Sequence, residues 1–218
     1  RGQWHLFWSG MEQSAGSFET RAVRAIADGD LQSSLGALRR GFVGNRAKAV
    51  ADFPDFEALR TQGAAIKDHV LANLDVYLER YEKAVTSRGG QVHWARDAGE
   101  ACSIIRDICR KTNARTVTKG KSMVSEEIGL NAVLEAEGLE ALETDAGEYI
   151  VQLAGEAPSH IVMPTVHKTV DQISELFAQK HKSFGFPKTS DPAELIGQIR
   201  NVLRRKFFTA DVGITGAN

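Results

Sequence analysis

KGKSMVSEEIGLNAVLEAEGLEALETDAGEYIVQLAGEAPSHIVMPTVHK, residues 119–168, alternates short apolar runs with three polar clusters. The clusters are KGKSMVSEE (119–127), ETDAGE (143–148) and PSH (158–160) running on to HK (167–168). Each lies beside a run with strand character. In a parallel α/β sheet the loops leaving the carboxyl ends of the strands converge on one edge, and ligands bind there. Three such loops carrying Lys, Ser, Glu, Asp and His describe a site for a small anionic molecule.

Outward from this stretch the alternation continues. QVHWA (91–95) reads as a strand, and Asp97 caps a helix to about residue 111. ARTVTKG (114–120) is a strand rich in β-branched residues. Ser125 is expected to cap a helix over 126–137, with two acids in its first turn and Gly138 at its end. LEALET (139–144) is a third strand, Asp145 opens a helix over 146–154, and HIVMP (160–164) is a fourth strand. A helix over 168–182 follows, then one opened by Asp191-Pro192 and running through Phe207, then a fifth strand in DVGITGAN (211–218). Strands and helices alternating through short connections predict α/β architecture with a mostly parallel, doubly wound sheet. Because the chain stops just after an apolar strand, the sheet is expected to be truncated at its C-terminus.

The N-terminal quarter is helical. Residues 55–88 predict one long helix, capped by Asp55 and ended by Gly89-Gly90, with Gly63 a candidate kink. Leu59, Ile66, Val70, Leu74, Tyr77, Leu78, Tyr81 and Val85 recur at helical spacing, which predicts one buried face. His69 lies near that face and reads as a hydrogen-bonded structural residue. Helices over 17–28 (with Ser17 as N-cap) and 30–43 are too short to own a core. The domain reading is therefore 1–10 tag or upstream residues, with Met11 an alternative start; 11–54 a helical arm; 55–218 the α/β domain.

Composition excludes several classes. Of 218 residues, 42% are hydrophobic and 25% charged, as in a globular domain. A net charge of −1 gives no basic field for nucleic acid. No apolar run is long enough to cross a membrane, and no secretory signal is visible. The only cysteines, Cys102 and Cys109, lie seven apart on a predicted helix. At about 10.5 Å they are too far apart for a disulfide and too few for a cluster or structural zinc. They read as core residues beside Ile105 and Ile108, and a reducing compartment, the cytoplasm, is expected.

Lys119, Lys121 and Ser122 offer two ammonium groups and a hydroxyl to a carboxylate or phosphate; the structural alternative is a solvated turn. No phosphate-binding or dinucleotide glycine motif accompanies them. Glu126 sits where a helix dipole favours an acid, and Asn131 shares a face with Glu127. Thr144, Asp145 and Glu148, with Glu143, gather oxygens suited to a hard cation or a substrate hydroxyl, while Asp145 and Glu148 also fit a capping box. His160 and His167 are candidate general acid/base residues, without zinc-ligand spacing. His181, in a KHK run, reads as surface. No nucleophile elbow or catalytic Cys/His signature is present.

KSMVSEEIGLN, LETDAGEYIVQL, PSHIVMPTVHK and ADVGITGAN resemble the lactate utilization protein B family. The resemblance implies a LUD domain, with a sheet of the ribose-phosphate isomerase/CoA-transferase type. It implies an iron–sulfur subunit that, with two sister subunits, oxidises L-lactate to pyruvate. Two four-iron (4Fe–4S) clusters are then expected in a C-terminal region beyond this chain, and no cofactor or metal within it. Lactate or pyruvate would bind Lys119, Lys121, Ser122, Glu126, Asn131, Thr144, Asp145 and Glu148, with His160 or His167 taking the hydroxyl proton. The competing reading is a non-catalytic module that binds a nucleotide, acyl-CoA or folate-like ligand, or docks the sister subunits.

Overall fold

The computed structural model describes residues 18–216 apart from 157 and 161. The expected Ser17 cap, residues 1–10, Met11 and the last two residues lie outside that set. The chain divides into two compact units, residues 37–95 and the residues on either side of them. Neither boundary falls at 54/55, where the sequence reading placed one.

Helix α1 (Phe18–Ala27) is followed by α2 (Gly29–Leu38), which runs through a π-helical turn (Arg39–Val43) into α3 (Gly44–Ala51). The predicted 34-residue helix is two: α4 (Phe56–Ala72) and α5 (Leu74–Thr86). The break is at Asn73, not Gly63. Asn73 leaves helical geometry (φ −127°, ψ 32°), and its side-chain amide donates to the His69 carbonyl at 2.8 Å. Across the break His69 Nε2 meets the Tyr77 hydroxyl at 3.1 Å, so this histidine is a structural hydrogen-bonding partner. The apolar face expected to be buried is not. Leu59, Ile66 and Tyr81 are 50%, 65% and 60% exposed, and no residue of 37–95 is buried. The chain then doubles back at Gly90, where a Cβ would fall 2.5 Å from Val85 Cγ1. Residues 91–95 form no strand; Trp94 Nε1 instead donates to Glu82 Oε1.

The α/β unit begins with α6 (Ala98–Lys111), whose Glu100 amide donates to the Asp97 cap. It continues through β1 (Thr116–Lys119), α7 (Met123–Glu127), α8 (Leu130–Ala136), β2 (Glu140–Glu143) and α9 (Ala146–Ala154). Then come α10 (Val170–Lys180), a 3-10 turn (Lys182–Phe184), α11 (Pro192–Thr209) and β3 (Val212–Ile214). The strands form an open, parallel three-stranded sheet in the order β2-β1-β3. Among the described residues no helix is long and apolar enough to cross a membrane.

Three local expectations differ. Ser122, not Ser125, caps the helix after β1, its hydroxyl accepting the Ser125 amide. That helix is divided by Gly129, whose left-handed backbone (φ +67°) suits glycine. Of the predicted strand over 160–164, no described residue is in a strand. His160 Nδ1 accepts the amides of Val162 and Met163, and the Pro164 carbonyl accepts the Ser159 amide, so the backbone bonds locally.

The two sheet faces follow from strand alternation. Val117 and Ala141 pack with Cys102, Cys109, Leu130 and Leu134 beneath α6 and α8. Both cysteines are buried, and burial pushes their thiols up, as core residues should be; Ile108 instead faces outward. Leu142 packs on the opposite core of Tyr149, Ile150, Phe177, Leu195, Ile199, Val202 and Leu203. Asp211 ties β3 to β1 by accepting the amides of Arg115 and Thr116 and the Thr116 hydroxyl, which holds its carboxyl below the usual range.

His181 is buried, against the surface position expected. Its ring lies among Tyr149, Phe177, Phe184 and Phe186, its Nε2 is 2.8 Å from the Tyr149 hydroxyl, and its buried Nδ1 has no partner. Burial drives its pKa below the ordinary 6.5. Above pH 6.5 the ring is neutral folded or unfolded; below it the unfolded chain takes up a proton that the folded one refuses. Stability therefore falls as pH drops below about 6.5. In thermal melts from pH 8 to pH 5, His181→Phe is expected to lose less stability on acidification than the unmodified chain; parallel curves would refute this.

Candidate functional site

The parallel register sets Lys119 beside Glu143 at the carboxyl ends of β1 and β2. Lys119 is only 1% exposed. Its Nζ lies 2.7 Å from Glu143 Oε1 and donates to Ser125 Oγ at 2.9 Å. Ser125 Oγ donates to the Ser122 carbonyl, and Asn131 Nδ2 donates to Glu143 Oε1 at 2.7 Å. Thr144 Oγ donates to the Lys119 carbonyl, while Gln152 bridges the Glu143 amide and the Ala141 carbonyl. A buried charge pair needs such support, because desolvation opposes the Coulombic gain. Four residues singled out from sequence as ligand contacts (Lys119, Ser122, Asn131 and Thr144) are thus brought together with Ser125, the expected helix cap, inside the floor of the site. Two acceptors in that floor, Glu143 Oε2 and Asn131 Oδ1, are buried without a partner.

Above this floor is a cleft of about 360 Å³, lined by Met123, Glu126, Glu148, Pro158, Ser159 and His160. The first two follow β1, Glu148 follows β2, and the last three belong to the loop after α9. The expected three-loop convergence is therefore present. Asp145 lies to one side: its carboxylate accepts the amides of Gly147 and Glu148 and caps α9. Glu148 does not reach back to complete a capping box. It is buried, with Oε1 3.5 Å from Lys121 Nζ. Lys121 also donates to the Val162 carbonyl at 2.9 Å.

The electrostatics of the cleft are those of crowded carboxyls. Burial pushes Glu148 up, and Glu126 adds to the rise, while Lys121 pulls against it. Burial likewise raises Glu126, offset in part by Lys119 and reinforced by Glu143. Both are thereby better proton carriers near neutral pH than free carboxylates. His160, with Nδ1 accepting two amides, carries its ring proton on Nε2 when neutral.

His167 stands behind the same loop. Its Nδ1 is 2.7 Å from Ser159 Oγ and its Nε2 2.9 Å from Glu156 Oε2, and Lys168 Nζ donates to Glu156 Oε1 at 2.8 Å. Gln152, Glu156 and Ser159 were not among the residues assigned from sequence, and Glu143 was grouped there with Thr144, Asp145 and Glu148 as an oxygen donor to a ligand, not as the partner of Lys119. Glu143 and Ser159 lay inside the quoted clusters, next to residues that were chosen; Glu156 is eleven residues from its histidine and no local pattern joins them. Among the described residues no group of three or more His, Cys, Asp or Glu side chains is placed to hold a metal ion.

Residues 78–218 match the family model of the LUD domain. The chain belongs to the LUD domain family. Over 209 residues, 95% of its length, it is 42% identical to lactate utilization protein B of Lysinibacillus sphaericus, 41% to that of Bacillus velezensis and 40% to that of Bacillus subtilis. The chain spans 43% of the length of each. No solved structure matches it. The LUD match begins within α5 and includes the whole sheet and cleft.

Lys119→Ala leaves the Glu143 carboxylate buried without its cation, and is expected to lower unfolding free energy by about 3–5 kcal/mol. Lys121→Ala removes a partly exposed cation and is expected to cost within about 1 kcal/mol. Urea unfolding of both variants checks this; equal losses would show that Lys119 is not the buried support described.

Proposed function

We propose that this chain is the LUD-domain part of a cytoplasmic lactate-utilization protein, and that the cleft over the Lys119–Glu143 pair binds L-lactate or pyruvate. The relatives named lactate utilization protein B support the substrate class. The observation that carries the site is Glu148, a buried carboxyl with raised proton affinity, lining the cleft 3.5 Å from the Lys121 ammonium. Lys121 pairs with the substrate carboxylate, exchanging Glu148 for it. His160 Nε2–H donates to a substrate oxygen, and Glu148 exchanges the hydroxyl proton. The expected role of His160 as proton acceptor thus passes to Glu148, because the Nδ1 that would accept is occupied by two amides.

The resemblance implies two four-iron clusters, which supply electron acceptance. The residues described here do not fit such a cluster: both cysteines are buried on α6, in the core. The clusters are assigned to the part of the relatives' length that this chain does not cover. A docking role for sister subunits is the second reading. It is favoured by helices α1 to α5, which contain no buried residue yet expose Phe18, Ile26, Ile66, Leu71 and Tyr81.

The test is made in the full-length protein assembled with its sister subunits. Lys121→Ala and Glu148→Gln are each expected to lower lactate-dependent acceptor reduction by about 100-fold or more, with melting temperature nearly unchanged. If both variants stay active, the cleft is not the lactate site and the docking reading stands.

A further inference from the structure

We propose that Ser159, His167 and Glu156 form an acyl-transfer site, in which Ser159 is the nucleophile toward a small activated acyl ester or thioester entering the cleft. This goes beyond the lactate reading: His160 is a donor in both, but the nucleophile, the base and the carboxylate that orients it are different side chains.

The hydrogen-bond roles can be worked out from one end. Glu156 is fixed by Lys168 at 2.8 Å, and although burial pushes its carboxyl up, the bonds from Lys168 and His167 more than offset this and hold it ionised. A carboxylate only accepts, so at 2.9 Å the proton between it and His167 sits on Nε2. In the neutral ring that leaves Nδ1 as a bare acceptor, 2.7 Å from Ser159 Oγ. The hydroxyl has one other acceptor within reach, the Pro164 carbonyl at 3.0 Å, which already receives the Ser159 amide. The hydroxyl proton can therefore turn to His167. A nucleophile, a base and a carboxylate that orients the base are joined by two short hydrogen bonds, the geometry that activates a serine. Ser159 is exposed and lines the cleft. His160 lines it too, with Nε2–H as the donor for an oxyanion. No sequence motif announces this group, because the serine sits on an irregular loop rather than a strand-to-helix elbow.

In the first step the Ser159 Oγ–carbon bond forms while His167 Nδ1 takes the hydroxyl proton. The carbon–oxygen or carbon–sulfur bond of the leaving group then breaks, and His167 returns the proton to the departing alkoxide or thiolate. Water, deprotonated by the same nitrogen, releases the acyl group as a carboxylic acid and regenerates Ser159.

The probe is a biotinylated fluorophosphonate on the full-length protein, with the adduct located by peptide mass spectrometry. An adduct on Ser159 is expected, absent in Ser159→Ala and formed about 100-fold more slowly in His167→Gln. A serine that only pins the loop would lower the melting temperature on replacement but take no label, and an unlabelled Ser159 in folded protein overturns the proposal. A labelling rate unaffected by His167→Gln does the same. Should the variants fail to fold, the unmodified protein still decides: its Ser159 must carry the label while the other serines do not, and an unlabelled Ser159 refutes the mechanism.

Discussion

A lysine ammonium and a glutamate carboxylate, both almost wholly withdrawn from water, face each other across the ends of two adjacent strands. The rest of the site depends on that pairing. Lys119 and Glu143 meet because β1 and β2 run parallel with Thr116 opposite Glu140, and a one-residue slip would turn one of the pair to the other sheet face. An unpaired charge at this depth is costly, so the wrong registers are disfavoured by more than lost packing. Ser125, Asn131, Thr144 and Gln152 then fasten the loops after both strands to the pair.

What lies above that floor differs in character. Glu126 and Glu148 share one small space with a single nearby ammonium, Lys121, that is not itself in the floor. Such a site tolerates one carboxyl carrying a proton more readily than two bare carboxylates. It suits a ligand that brings a carboxylate to Lys121 and leaves a hydroxyl or keto oxygen beside an acid. On the far side of the same space Ser159 and His167 make a second arrangement, with its own carboxylate and its own lysine. The two sets share the cleft between them and the His160 donor that lines it.

The α/β alternation was legible because its signals are local. Asp97, Asp145 and Asp191 were readable as helix caps, and β-branched runs marked β1. The polar clusters correctly indicated which loops meet. Less legible was which polar residue would be buried: KGKS reads as a solvated turn, and only the partner strand reveals that Lys119 faces inward. The 160–164 run has strand composition, but a histidine side chain occupies its amides. Helical spacing in 55–88 predicted a buried face; spacing shows that a face is apolar, and burial needs something to cover it. His181 looked like surface for its lysine neighbours, yet four aromatic rings from 149, 177, 184 and 186 enclose it.

The place of β3 in the sheet has a consequence for synthesis. β1 is the central strand, yet its second neighbour is almost a hundred positions away: the Asp211 carboxylate that clasps Thr116 is 95 residues further along. At about 5–20 residues per second, a ribosome takes roughly 5–20 s to make that interval. Once residues 140–143 have been made, β1 and β2 can pair while the other edge of β1 stays open to any strand that reaches it. Closing so long a loop is slow but adds little entropic cost per residue, so the delay is kinetic rather than a weakness of the finished sheet. The order of strands thus gives the nascent chain a defined interval of vulnerability, which ends when residues 211–214 emerge.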